Sequence, residues 1–214
     1  MLSFLKIERK KCGVNILLIT SAVLIAFSVL CVTGGNLVNL PLLGFEIICP
    51  FLIALLVSEW VQTLSDPMID IVIVHSKSLF AWVVGKFLVV TGISGVLCVA
   101  CMLGLRLWVL DFSITQTLFI FVATTLFFSS IGVFSSFLSK QSHVSAAVCG
   151  IIWLLSLMAN SLVRIPLIAH IYPYIKFVEN DTDIWVANKI ILLSIAICLW
   201  VRVYFICKNR RLIS

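Results

Sequence analysis

Six apolar stretches of about twenty residues alternate with shorter polar ones along the chain. A helix needs roughly twenty apolar residues to cross about 30 Å of hydrocarbon. The pattern therefore predicts an all-α, polytopic membrane protein with a single membrane domain over residues 1–214. We place its six transmembrane helices at residues 14–34, 41–59, 83–105, 115–138, 143–163 and 187–207.

Three segments outside these spans carry their own patterns. Residues 1–12 can gather apolar side chains on one side and basic ones on the other, which is typical of a helix lying in the membrane interface; a frayed basic tail is the alternative. Residues 60–82 are polar and short, and we expect them to contact another molecule. Residues 164–186 are apolar but interrupted by Pro166 and Pro173, so one or two short helices that re-enter the membrane are expected there.

Composition agrees with a membrane protein, because 62% of the residues are hydrophobic and only 11% are charged. Soluble domains have about 25% charged residues. The net charge of +6 comes from basic residues at the ends of the spans, which indicates membrane topology and argues against a nucleic-acid partner.

The distribution of the 15 basic residues predicts the orientation, since cytoplasmic loops carry an excess of Lys and Arg. With both termini in the cytoplasm, four basic residues face outward: Arg106, Arg164, Lys176 and Lys189. The other eleven face inward: Lys6, Arg9, Lys10, Lys11, Lys77, Lys86, Lys140, Arg202, Lys208, Arg210 and Arg211. The expected location is a cell membrane, such as a bacterial plasma membrane.

Glu46 is the clearest charge inside a predicted span. Pro50 cannot donate a hydrogen bond to the carbonyl of Glu46, so a polar notch is expected there. Ionisable residues inside membranes are functional candidates, and Glu46 with Asn160 could line a translocation path. The alternative is a hydrogen-bonded glutamate that only orders packing.

Small residues recur at helical spacing in two spans, at Gly132 and Ser136 and at Ser142, Ala146 and Gly150. Such residues allow helix backbones to approach closely in lipid. They indicate a helix–helix contact within one subunit or between two. The eight cysteines lie in or beside apolar stretches and are interpreted as small buried hydrophobic residues.

The sequence contains no nucleotide-binding loop, catalytic constellation or metal-ligand motif, and we expect neither enzymatic activity nor a cofactor in this chain.

The stretch that begins at Glu59 resembles the permeases of ABC-2 type transporters. The resemblance rests on a glutamate at the end of the second span, a short cytoplasmic helix, the tripeptide Ser65-Asp66-Pro67, and Lys86 opening the third span. Thr63 is retained after Glu59, whereas the glycine usual in that family is absent. The amphipathic start, the end of the fourth span and the segment before the sixth are also similar.

This resemblance implies a transporter subunit without its own ATPase. A separate cytoplasmic ABC ATPase, which binds ATP and Mg²⁺, would contact a coupling helix through Glu59, Thr63, Asp66, Pro67 and Lys86. A second permease, identical or homologous, would complete a path through the lipid membrane, with Ser142, Ala146 and Gly150 in the contact. The expected function is export of an amphipathic drug, peptide or lipid-like molecule. The alternative is a membrane anchor or sensor subunit that transports nothing.

Overall fold

The computed structural model describes residues 2–33, 40–60, 79–108, 112–139, 142–178 and 184–210, and the regular structure in these ranges is helical. Helix α1 is Leu2–Thr33. Helix α2 is built of three contiguous parts, Leu40–Leu42, the π-helical Leu43–Ile48 and Cys49–Trp60. Helices α3, α4 and α5 are Leu79–Trp108, Ile114–Ser139 and Ser142–Met158, and a 3₁₀ turn, Ala159–Arg164, extends α5. The short helices α6 and α7 are Pro166–Ala169 and Ile175–Val178, and α8 is Ile184–Arg210.

Six of these helices are long and apolar enough to cross a membrane, as the hydrophobic pattern predicts. The candidate spans are Asn15–Thr33, Leu40–Glu59, Leu79–Leu107, Ile114–Ser139, His143–Arg164 and Ile184–Asn209. The six predicted spans are thereby confirmed in number and order.

Several helices are longer than the predicted spans. Hydropathy indicates which residues can lie in the membrane, whereas a helix can continue beyond them. Helix α3 begins four residues earlier than predicted, at Leu79, and α8 begins at Ile184. Residues 2–12 are helical and continue without a break into the first span, forming one helix with it. A position of these residues in the membrane interface stays a prediction.

Helices α2 and α4 form the centre of the bundle. Of their spans, 61% and 67% are buried, against 28% or less for each of the other four. The contact between α2 and α4 is close at Gly132, where an added Cβ would lie 2.5 Å from the Ser58 hydroxyl. Gly132 therefore acts as the small-residue pattern predicts, within the subunit.

Helix α5 joins this contact through Ser145 and Cys149, both completely buried. The Ser145 hydroxyl donates to the Gly132 carbonyl at 2.6 Å. Ala146 and Gly150 are only half-buried, and a Cβ added at Gly150 would have no described neighbour within 4 Å. The side of α5 that carries Ala146 and Gly150, here called the ridge, is thus not tightly packed against the described part of the subunit. Its role between subunits stays a prediction.

Candidate functional site: a buried ion-pair network

The site lies at the end of the bundle where α2, α4 and α8 begin. Its first element is the irregular start of α2. Pro50 lacks an N–H group, and its ring would collide with the carbonyl of Glu46 in a regular α-helix. The chain widens into the π-helix Leu43–Ile48 just before Pro50, and the Cys49 N–H donates to the carbonyl of Gly44, five residues back. π-helical turns inside α-helices are frequent at functional sites.

Two contacts hold this widened turn in place. The indole of Trp153, on α5, donates to the Ile47 carbonyl at 3.3 Å. The ring of Phe27, on α1, lies against Gly44 so closely that no side chain could be added at that position without moving the ring. The turn directs the Glu46 side chain into the protein, where none of it is exposed.

Lys189 of α8 meets Glu46 in the interior. Its Nζ lies 2.6 Å from Glu46 Oε1, and neither side chain is exposed. The same ammonium donates to the Pro173 carbonyl at 2.6 Å and to the Thr124 hydroxyl at 3.0 Å. Thr124 can accept because its own proton goes to the Ile120 carbonyl. A lysine ammonium has three protons to donate, so all of them are used.

The carboxylate of Glu46 also accepts hydrogen bonds from the main chain. Its Oε2 accepts the N–H of Phe177 at 2.8 Å, and its Oε1 accepts the N–H of Lys176 at a longer 3.4 Å. Both N–H groups lie in the first turn of α7, where backbone donors have no partner within the helix. Glu46 thus supplies acceptors to a helix that lies 130 residues further along the chain.

Asn188 adds a third link to the same segment. Its side-chain amide donates to the carbonyls of Ala169 at 3.0 Å and Tyr172 at 2.9 Å. Its oxygen has no partner among the described atoms. Glu46, Asn188 and Lys189 together hold the segment 165–178 through main-chain groups.

Two tyrosines of this segment are buried against the network. Burial, followed by the nearby Glu46 carboxylate, raises the pKa of Tyr172 to about 12. Burial raises the pKa of Tyr174 as well, with further contributions from Tyr172 and Glu46. The Tyr174 ring stacks on Phe128 of α4 with centroids 5.9 Å apart, and its hydroxyl has no described partner.

The hydrogen bonds of this network fix the position of the segment 165–178 on the bundle. The two charges neutralise each other, and each makes further hydrogen bonds, which is the condition under which a buried ion pair is tolerated. In the ranges that the structure describes, no group of three or more His, Cys, Asp or Glu side chains could hold a metal ion.

The remaining predicted site residues lie apart from the network. Glu59 is exposed in the last turn of α2, Asn160 is exposed in the 3₁₀ turn, and Ser142 is the first residue of α5. Lys86 lies on α3 with its Nζ 3.9 Å from the centroid of the Trp82 ring. Thr63, Asp66 and Pro67 lie outside the described residues.

The cysteines agree with their interpretation as hydrophobic residues. The seven that the structure describes are free thiols, and five of them are buried. Cys49 and Cys149, for example, are completely inaccessible.

The sequence reasoning missed Lys189, which it counted among the basic residues facing outward. A signal was present, because Lys189 lies three residues inside the predicted sixth span. An ionisable residue there is expected to have a partner, and Glu46 lies near the same end of the second span with the opposite charge. Asn188 carries no comparable signal, since a polar amide near a helix start is common.

Comparison with protein-family models, with curated proteins and with solved structures found no match to this chain.

Proposed function

We propose that the chain is the permease subunit of an ATP-driven exporter of the ABC-2 type. The proposal is carried by the stretch between the second and third spans, whose residues from Glu59 to Lys86 resemble the coupling region of that family. Glu59 is exposed where α2 ends, at the border of this connection. Lys86 is the eighth residue of α3, about 10 Å along the helix from Leu79, so its part in the coupling region rests on the sequence resemblance alone.

In this proposal the connection faces the cytoplasm and binds an ABC ATPase. The positive-inside rule supports the orientation. A carboxylate at the edge of the hydrocarbon is costly unless it is hydrated or paired. Glu59 is suited to bind a basic side chain or backbone N–H groups, and so to order the ATPase-binding surface.

The opposite end of the bundle is then the outer one, and the segment 165–178 re-enters the membrane there. Glu46 is six residues past Leu40, and Lys189 is five residues past Ile184. At a rise of about 1.5 Å per residue, both lie roughly 7–9 Å inside the ends of their spans. Pro173 and Phe177, which bond to them, reach the same depth.

A translocation path is proposed between two permeases rather than through one. Within the described bundle, Glu46 and Lys189 form an ion pair with each other and hydrogen bonds with the main chain. They are therefore not proposed to line a path within one subunit. Helix α5 has the smallest buried share of the six spans, 11%, and is the face proposed to meet a second subunit. Asn160, exposed at the end of this helix, would lie beside the path.

The test is purification of the tagged chain from native membranes, followed by measurement of ATP hydrolysis in the eluate. A vanadate-sensitive ATPase should co-purify, and Glu59→Ala and Lys86→Ala should each reduce the hydrolysis that co-purifies. Arg202→Ala is the matched control, because Arg202 is an exposed basic residue near the inner end of α8. Unchanged hydrolysis in both coupling variants would contradict the proposal.

The same preparation, reconstituted in vesicles, separates an exporter from an anchor or sensor subunit. An exporter should show ATP hydrolysis that responds to amphipathic solutes, whereas an anchor should bind the ATPase without any such dependence.

A further inference from the structure

We propose that Glu46, Asn188 and Lys189 form a clamp of fixed polarity, which docks the segment 165–178 on the bundle by its main chain. In such a clamp the acid must stand at position 46 and the base at position 189. The inference does not depend on the proposed transport function, since it concerns how the subunit itself is held together.

The segment needs such a clamp because it cannot be stable alone. Its two helices, Pro166–Ala169 and Ile175–Val178, have four residues each. Isolated helices shorter than about 12–15 residues are marginal in water even in favourable sequences. The order of this segment must therefore come from its contacts with the bundle.

The clamp reaches all parts of the segment through backbone atoms. Asn188 donates to two carbonyls at and after the end of α6, Lys189 donates to the Pro173 carbonyl between the helices, and Glu46 accepts two N–H groups at the start of α7. Each type of main-chain group meets the side chain that suits it: the three carbonyls, which come first along the segment, accept amide and ammonium protons, and the two N–H groups that follow donate to the carboxylate.

This arrangement distinguishes the clamp from a simple ion pair. Exchanging the two charges would preserve an ion pair, but a lysine at position 46 would direct protons at the N–H groups of Lys176 and Phe177. A glutamate at position 189 would direct lone pairs at the Pro173 carbonyl. Thr124 could donate to that carboxylate only by giving up its hydrogen bond to the Ile120 carbonyl, and it would leave the Pro173 carbonyl without a donor. The exchange therefore fails to restore the docked segment.

The clamp also joins three spans at one end of the bundle. Glu46 comes from α2, Lys189 from α8, and the Lys189 partner Thr124 from α4, while the Tyr174 ring of the segment stacks on Phe128 of α4. The contacts of the segment with the three helices are therefore linked through Lys189 and Glu46. The last span, which supplies Lys189 and Asn188, completes the clamp.

Docking can be measured with two cysteine reporters in a background whose native cysteines are replaced. Ala169→Cys places a thiol on a buried side chain of the segment itself, 3% exposed, whereas Leu167→Cys places one at a position that is 75% exposed. In detergent solution, without a bilayer around the segment, a maleimide should label the first slowly and the second rapidly in the otherwise unchanged protein.

Glu46→Gln and Lys189→Met should each raise the labelling rate of Ala169→Cys at least several-fold. They should lower the Tm in detergent by roughly 6–20 °C, because each leaves a buried charge without its counter-charge. Lys176→Met is the control for loss of a lysine charge in this segment. It removes the side-chain interactions of Lys176, such as its contact with the Trp185 ring, but keeps the backbone N–H that the clamp uses, so the labelling rate should change little. In the double variant Glu46→Lys/Lys189→Glu, the labelling rate of Ala169→Cys should stay as high, and the Tm as low, as in the single variants.

Recovery of slow labelling and of the Tm in the exchanged double variant would overturn the fixed polarity. Slow labelling in both single variants would overturn the clamp itself. If those variants do not fold, Thr124→Val and Asn188→Ala provide the test, because each removes hydrogen bonds without leaving a lone buried charge. Faster labelling in both supports the clamp, and labelling at the original rate in both refutes it. Neither the labelling rate nor the Tm involves an ATPase. A result that refutes the clamp therefore leaves the proposed transport function untouched, and the reverse also holds.

Discussion

Gly132 and Ser58 approach so closely that a Cβ at position 132 would lie 2.5 Å from the Ser58 hydroxyl oxygen. The Ala54 carbonyl and the Cys149 sulfur lie 3.4 Å from the same point. Three spans thus converge on one glycine. In lipid, where no hydrophobic force drives helices together, such close packing is a main source of association.

We predict that Gly132→Ala destabilises the protein by about 1–3 kcal/mol, as other overpacked interiors are destabilised. Thermal unfolding in detergent checks this. Gly95→Ala on α3 is the control, because a Cβ there would have no described neighbour within 4 Å. The added variant Ser58→Ala should recover part of the loss by removing the nearest atom. Equal stability of Gly132→Ala and Gly95→Ala would show that the contact relaxes without cost.

Tyr174→Phe should leave stability unchanged or raise it by up to about 1 kcal/mol. The tyrosine hydroxyl is buried without a described partner, and a buried unsatisfied polar group costs free energy. The phenylalanine keeps the stack on Phe128. Tyr174→Leu, which removes that stack, should be less stable than either. A lower Tm for Tyr174→Phe than for the original protein would mean that the hydroxyl is hydrogen-bonded after all.

Tyr172 should make stability fall at alkaline pH. Its pKa is raised from 10.0 to about 12 in the folded protein, by burial and then by the Glu46 carboxylate. Below pH 10.0 both states keep the proton, but above it the unfolded state loses the proton first, so the free energy of unfolding decreases up to pH 12. Denaturant unfolding of Tyr172→Phe should show a weaker decrease over this interval. An identical slope in both proteins would contradict this assignment.

Helix α5 should crosslink between subunits through its open ridge. Single cysteines at Ala146, Gly150 and Leu154 should form crosslinks in membranes, because these positions are half-buried or exposed in the subunit. A single cysteine at the native position 149 is the control and should not crosslink, since it is completely buried against α4. Crosslinking at none of these three positions, in a complex that still binds its ATPase and exports, would refute a dimer through α5.

Much of the fold could be read from the sequence because hydropathy is a local property. About twenty apolar residues in a row define a membrane span wherever they occur. The number and order of the six spans follow from this alone. Pro50 also acts locally, on the residue four positions before it, and so marked Glu46 as a special position, although it did not predict the π-helix found there. The small residues of the fourth span likewise marked Gly132 as a close contact.

The tertiary structure alone decided which residues meet. Lys189 and Glu46 are 143 residues apart, and their pairing depends on which helices are neighbours and how each is rotated. The same holds for the choice of Ser145 and Cys149, rather than Ala146 and Gly150, as the buried face of α5. The N–H groups that complete the Glu46 site belong to the main chain and have no signature in the sequence. A charge inside a span indicates that a partner is needed, but only the packed helices determine its identity.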